Sequence, residues 1–318
     1  MIHARALART YRTRTGPVEA VRGVDLDVTA GEIVGFLGPN GAGKTTTLRM
    51  LTTLLAPTAG EATVAGCDLR GDPVGVRRKI GYVAQGGVTY AEARTGEELV
   101  DQARLYGIST ADATARGRQL FEQLDLEGLW GRTCGSLSGG QRRRLDIAMG
   151  LIHSPVLVFL DEPTTGLDPQ SRANLWGHVR RLREDGATIF LTTHYLDEAD
   201  ALCDRILVID HGRIVASGTP EDLKRQVSGD AIALTLAGPE RAAEALDVVK
   251  GLPGQDGAGA DAALVHVRVP DGGAVLPGLL RELDLRGIAL AGVEVRRPTL
   301  DDVFLSLTGR SLRDEPAA

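Results

Sequence analysis

Gly38-Pro39-Asn40-Gly41-Ala42-Gly43-Lys44-Thr45 runs glycine, four residues, then Gly-Lys-Thr, the pattern of a loop that cradles phosphate. Glycines there let backbone N–H groups turn towards anionic oxygens with no Cβ in the way. Lys44 adds a point charge suited to the β/γ-phosphates, and the Thr45 hydroxyl suits a Mg2+ coordination site. Just upstream, Ile33-Val34-Gly35-Phe36-Leu37 is a short apolar run, as expected of a strand buried on both faces. Downstream, 45–55 reads as a helix whose N-terminus would supply further donors and a favourable dipole. Strand, loop and helix in that order predict an α/β core with a largely parallel sheet.

Working outward, Val24-Asp25-Leu26-Asp27-Val28 alternates apolar and acidic, which predicts a half-buried strand. Thr95-Gly96-Glu97-Glu98 is a capping-box sequence, and 99–106, 113–124 and 141–152 read as helices, a helical subdomain inserted over about 86–152. Val156-Leu157-Val158-Phe159-Leu160 returns to buried-strand character, followed by a helix over 170–184 and a strand over 188–192. Gly218-Thr219-Pro220 punctuates the chain and sets the expected end of a first domain, 1–220. The next part, 221–310, reads as a small α/β accessory domain. Its strands are expected over 231–236, 264–269 and 288–295, and its helices over 240–249, 274–286 and 299–307, with a glycine-rich loop over 254–259. The tail, 311–318, reads as disordered.

Two further motifs carry chemistry. The apolar run 156–160 ends in Asp161-Glu162, which delivers two acids to a strand's C-terminal end, where α/β sheets bind ligands. Asp161 suits Mg2+ and Glu162 suits a general base that polarises water. Leu137-Ser138-Gly139-Gly140-Gln141 stands where a helix begins, a second anion-binding N-terminus. One fold has no need of two phosphate cradles for one nucleotide, so the second suits the γ-phosphate held by another copy.

With these motifs the chain resembles the ATPase subunits of ATP-binding cassette (ABC) transporters over about 1–220. The resemblance implies a P-loop NTPase fold of the ABC ATPase kind, a mixed-sheet core with an inserted helical subdomain. It implies ATP and Mg2+ as cofactors, and a homodimer in which each ATP lies between one subunit's phosphate loop and the other's signature. Nucleotide binding then falls to Tyr11, stacking on adenine, and to Gly38, Pro39, Asn40, Gly41, Ala42, Gly43, Lys44, Thr45 and Thr46. The signature acting on the partner's nucleotide is Leu137, Ser138, Gly139, Gly140 and Gln141. Glu162, His194 and Gln85 are the implied catalytic residues; Thr45, Gln85 and Asp161 the implied Mg2+ ligands; Asp168 lies in the loop that crosses the dimer.

Arg142-Arg143-Arg144-Leu145-Asp146 and the ending Pro298-Thr299-Leu300-Asp301-Asp302-Val303-Phe304-Leu305-Ser306-Leu307-Thr308-Gly309 are similar to daunorubicin-resistance-type ATPases. That likeness implies export of a drug or other hydrophobic compound through a separate integral-membrane permease. The arginine run by itself reads as a solvated helix face. The stretch Gly86-Gly87-Val88-Thr89-Tyr90-Ala91 departs from that subfamily's pattern, at the segment that normally faces the membrane partner.

Bulk properties agree. A net charge of -6 argues against a general nucleic-acid binder, though not against a local basic patch. All but four of the 36 basic residues are arginine, a bias that fits a GC-rich genome. Cys67, Cys134 and Cys203 have neither metal-ligand nor disulfide spacing, which fits a reducing cytosol. The Arg-rich start has a faint transit-peptide flavour, but the following residues read as the first strands. No apolar stretch reaches the roughly 18–20 residues needed to span a bilayer. The expected place is therefore peripheral, on the cytoplasmic face of the cell membrane. The alternatives are an importer subunit with a regulatory C-terminal domain, and a soluble ATPase acting on DNA or ribosomes. Against the second, no heptad insertion separates the nucleotide motifs, and only one cassette is present.

Overall fold

The computed structural model describes residues 1–14, 16–87, 89–226 and 229–309. The expected disordered tail, 311–318, lies outside these residues, as does Val88. The chain divides into two compact units, one covering Met1–Pro220 and the other beginning at Glu221.

The first unit opens with β1 (Ile2–Thr13) and β2 (Gly16–Val28), an antiparallel pair. Then come β3 (Ile33–Leu37), α1 (Lys44–Leu51), β4 (Ala59–Val64), β5 (Cys67–Asp68), α2 (Pro73–Lys79) and β6 (Ile80–Val83). Three helices follow, α3 (Thr95–Leu105), α4 (Thr110–Gln123) and α5 (Gly139–Leu151), and they pack on one another. The unit continues with β7 (Leu157–Asp161), α6 (Pro169–Glu184), β8 (Thr188–Thr193), α7 (Leu196–Leu202), β9 (Arg205–Asp210) and β10 (Arg213–Gly218).

These strands form two sheets. One, in the order β2-β1-β4-β5, is antiparallel. The other has the order β10-β9-β3-β8-β7-β6 and is parallel except for the β9–β10 pair at its edge. β3, β7 and β8 are buried along their whole length, which is why β3 and most of β7 read as apolar runs rather than alternating ones. Phe36, Phe159 and Phe190 pack across these three strands as tilted ring pairs, with centroids 5.6 and 5.7 Å apart. β3, β6, β7 and β8 run in the same direction, so their C-terminal ends converge on one edge of the sheet.

The second unit holds most of α8 (Pro220–Gln226), then β11 (Asp230–Leu236), α9 (Ala242–Lys250), β12 (Asp256–Asp261), β13 (Leu264–Val269), α10 (Gly272–Leu285), β14 (Leu290–Arg296) and α11 (Leu300–Thr308). Its antiparallel sheet has the order β12-β13-β11-β14. A core of Ile232, Leu234, Val265, Val267 and Val269 from the sheet packs against Val248, Val249, Leu279 and Leu283 from α9 and α10. Each such side chain contributes roughly 1.5–3 kcal/mol by leaving water.

Three local expectations need correction. Thr95 does not cap α3; Arg94 occupies that position, and the Thr95 hydroxyl donates to the Leu129 carbonyl at 2.7 Å. A tertiary acceptor outcompetes the local one. The helix expected to reach residue 55 stops at Leu51, where the Thr52 hydroxyl folds back on Leu48 O and Thr53 adopts a φ of 63°. The glycine-rich segment read as a loop overlaps β12, whose Gly259, Ala260 and Asp261 pair with His266, Val265 and Leu264 of β13. Glycines carry no side-chain pattern, so only the neighbouring strand reveals that pairing.

Candidate active site

The phosphate loop leaves β3 and enters α1. Gly43 has a φ of 107°, which a side chain would resist. A Cβ there would lie 2.6 Å from Ala20 O, and one at Gly38 would lie 2.3 Å from Ile209 O. The loop is therefore closed in by backbone as well as bent. Lys44 is 4% exposed, and its ammonium donates to Gly38 O at 2.7 Å and Pro39 O at 3.1 Å. Pro39, Asn40, Gly41, Gly43, Lys44, Thr45 and Thr46 line a cavity of about 210 Å³ together with Ala20, Gln85 and Glu162.

The parallel strands bring the remaining groups to the same edge. β7 delivers Asp161, whose Oδ1 accepts from the Thr192 hydroxyl at 2.6 Å and from the Thr45 hydroxyl at 3.3 Å. The next residue, Glu162, takes a φ of 43°, uncommon for a residue with a side chain. Such strain persists only where surrounding contacts over-determine it, and here the Glu162 N–H donates to both Thr192 O and Thr192 Oγ1.

Three groups converge on the Glu162 carboxylate. Gln85, just beyond β6, donates from Nε2 to Oε2 at 2.8 Å. His194, just beyond β8, places Nδ1 3.3 Å from Oε2. Lys44 places Nζ 3.4 Å from Oε1. The Thr165 hydroxyl adds a bond at 3.2 Å. Burial pushes the Glu162 carboxyl up, but the His194 contact and the Lys44 charge outweigh it and hold it at about 2.

Thr45 and Asp161 offer adjacent oxygen donors, the kind a hard divalent cation takes. Among the described residues no group of three His, Cys, Asp or Glu side chains forms a metal cage. The two oxygens, 3.3 Å apart, fit Mg2+, which commonly takes one or two protein oxygens and completes its shell with phosphates and water.

Other expected site residues lie apart from this cavity. Tyr11 is half-buried in the β1–β2 hairpin, with the Arg9 guanidinium 4.9 Å from its ring centroid; Ala20 is the hairpin residue that reaches the cavity. Ser138 and Gly139 are exposed and absent from its lining. Ser138 caps α5 in a reciprocal box with Gln141, at 3.2 and 3.0 Å. Leu137 and Gly140 are buried beside them. Asp168 caps α6 through Ser171, at 2.9 and 2.6 Å.

The sequence reading missed Thr192 and Thr165, whose signal is only a polar residue beside an apolar strand or turn. It also misread Arg143. That side chain is 7% exposed, not a solvated helix face.

Residues 21–165 match the ABC transporter family, and residues 218–308 match the C-terminal domain of ATP-binding proteins of the DrrA1-3 kind. The daunorubicin resistance ATP-binding protein DrrA3 of Streptomyces coeruleorubidus is 44% identical over 307 residues, covering 96% of each chain. The chain belongs to the ATP-binding subunits of ABC transporters. The doxorubicin resistance ATP-binding protein DrrA of Mycobacterium tuberculosis is 43% identical, over 92% of this chain and 89% of that protein. The linearmycin resistance protein LnrL of Bacillus subtilis is 35% identical over 99% of this chain and all of that one. In structure, the chain is similar to a dimeric ATP-binding cassette in a post-hydrolysis state with ADP and phosphate. That likeness has a TM-score of 0.64 and 26% identity, covering 69% of this chain and 98% of the other. As a family member this subunit binds ATP and hydrolyses it, and it has the P-loop ABC ATPase fold. As an ABC transporter subunit it works with a membrane partner; among the described residues no helix is long and apolar enough to cross a membrane.

Proposed function

We propose that this subunit energises export of a drug or other hydrophobic compound through a separate membrane-spanning permease, as a homodimer on the cytoplasmic face of the membrane. The resistance named for its relatives supports the cargo class, and nothing observed favours an importer or a nucleic-acid partner. The observation that carries the chemistry is the Glu162 carboxylate, held at one sheet edge by Gln85, His194 and Lys44.

Glu162 is the general base: it takes a proton from the water that attacks the γ-phosphate. Lys44 exchanges the Gly38 and Pro39 carbonyls and Glu162 for phosphate oxygens. Glu162 then loses one of the charges that hold its proton affinity down, and becomes a better base. His194 faces the same carboxylate and reaches for the γ-phosphate. Thr45 and Asp161, with Gln85 alongside, would hold Mg2+, which neutralises charge on the phosphates when bound. Tyr11 stacks on adenine. Ser138, Gly139 and Asp168, exposed and outside the cavity, complete the site of a second copy. Tyr90, 73% exposed, lies in the stretch expected to face the permease.

The test is Glu162→Gln. ATP binding should stay within about threefold while turnover falls on the order of 1000-fold, and size-exclusion chromatography with ATP should show a trapped dimer. Wild-type turnover in that variant would sink the base assignment.

A further inference from the structure

We infer that Arg143 is a positioning residue for hydrolysis, clamping the backbone on both sides of Glu162 and just before Gln85 and tying both to the signature helix α5. Its guanidinium makes three bonds to three carbonyls from two separate segments. Nε donates to Pro163 O at 2.8 Å, Nη2 to Asp161 O at 3.0 Å, and Nη1 to Ala84 O at 2.5 Å. Asp161 and Pro163 flank Glu162; Ala84 precedes Gln85.

The geometry explains why an arginine stands here. The guanidinium is a rigid, planar fork of five donors, so three carbonyls bound to it are fixed relative to one another. Glu162 sits in a left-handed conformation that neighbouring contacts must enforce. Thr192 holds its N–H, and Arg143 holds the peptides before and after it. Gln85 and Glu162 meet across 2.8 Å, a contact that survives only if β6 and β7 keep their ends in register. Arg143 lies five residues beyond Ser138 on the same helix. Whatever moves the N-terminus of α5 therefore pulls on this chain's own Gln85–Glu162 pair.

The inference rests on Glu162 as the base, and the experiment separates the two. In the full chain, Arg143→Gln and Arg143→Lys are made alone and on the Glu162→Gln background, reading kcat and ATP affinity. Arg143→Gln should lower kcat about 100-fold, the cost of a displacement near 1 Å, with ATP affinity within about threefold. Arg143→Lys, whose single ammonium cannot reach all three carbonyls, should fall between it and wild type. On the Glu162→Gln background neither should lower turnover further, because Arg143 acts through Glu162. A role in the fold alone would lower affinity together with kcat, and the losses would multiply. Either result, or an Arg143→Gln kcat within twofold of wild type, overturns the clamp. If Arg143→Gln fails to fold, Arg143→Lys is judged by the same criteria. Wild-type turnover in Glu162→Gln alone would instead overturn the base assignment, leaving the kcat of the Arg143 variants to report on the clamp.

Discussion

The two units bury different chemistry. The ATP-binding unit takes Lys44, Arg143, Asp146, Asp161, Glu162, His178 and Glu198 out of water, whereas no charged or polar side chain among the described residues of the second unit is buried. The core of the second unit is aliphatic, and its ion pairs, such as Glu282–Arg286 at 2.8 Å, lie at the surface. Burying charge is costly unless every group finds a partner. The first unit accepts that cost at Lys44, Asp161 and Glu162 beside the phosphate loop, while the described residues of the second unit bury no charge.

Four substitutions test this contrast. The largest effect should come from Lys44→Met, which removes the cation from the phosphate loop. ATPase turnover should fall on the order of 1000-fold, while the second unit melts unchanged, as followed by calorimetry. A coupled loss in the second unit would contradict the division of labour. Next, Leu234→Ala opens a cavity in the aliphatic core and should cost about 2–5 kcal/mol in chemical denaturation of the second unit, with ATP affinity of the first unit unaltered.

A smaller effect, read as a slope, is expected at Glu198. Burial raises its carboxyl above the ordinary value, against the hydroxyls of Thr193 and Thr164, and the Trp176 indole donates to it at 3.2 Å. A folded-state value above the unfolded one means the protonated form favours folding. That contribution is whole below about pH 4.5 and is lost as pH rises through the folded value. Glu198→Gln keeps a neutral acceptor, so its stability relative to wild type should climb as pH rises from 4.5. A flat difference would show that Glu198 is ionised without penalty. Smallest of all, Glu282→Gln at the surface of the second unit should change stability by only about 0.3–0.5 kcal/mol. A larger loss would mean that unit depends on charge after all.

Much of the site was legible because its parts are contiguous. The phosphate loop, the Asp161-Glu162 pair and the Ser138 cap each signal through neighbours in the chain. The strands β11, β13 and β14 of the second unit were legible in the sequence; β12 was not, because glycines carry no side-chain pattern. Arg143 was not legible. In sequence it is one of three arginines after the signature, and nothing local separates it from Arg142, which is exposed.

Residue order alone reveals which residue types the chemistry has and roughly where the strands that carry them end. Short-range steric and periodic preferences suffice for that. It takes the packed fold to bring Gln85, His194 and Lys44 to the one Glu162 carboxylate, because residues as far apart as 44 and 194 meet through parallel pairing of β3, β6, β7 and β8. That fold also decided that one arginine of three turns inward. The reason is that three carbonyls from distant segments converge there, and a buried guanidinium is stable only where such acceptors already wait.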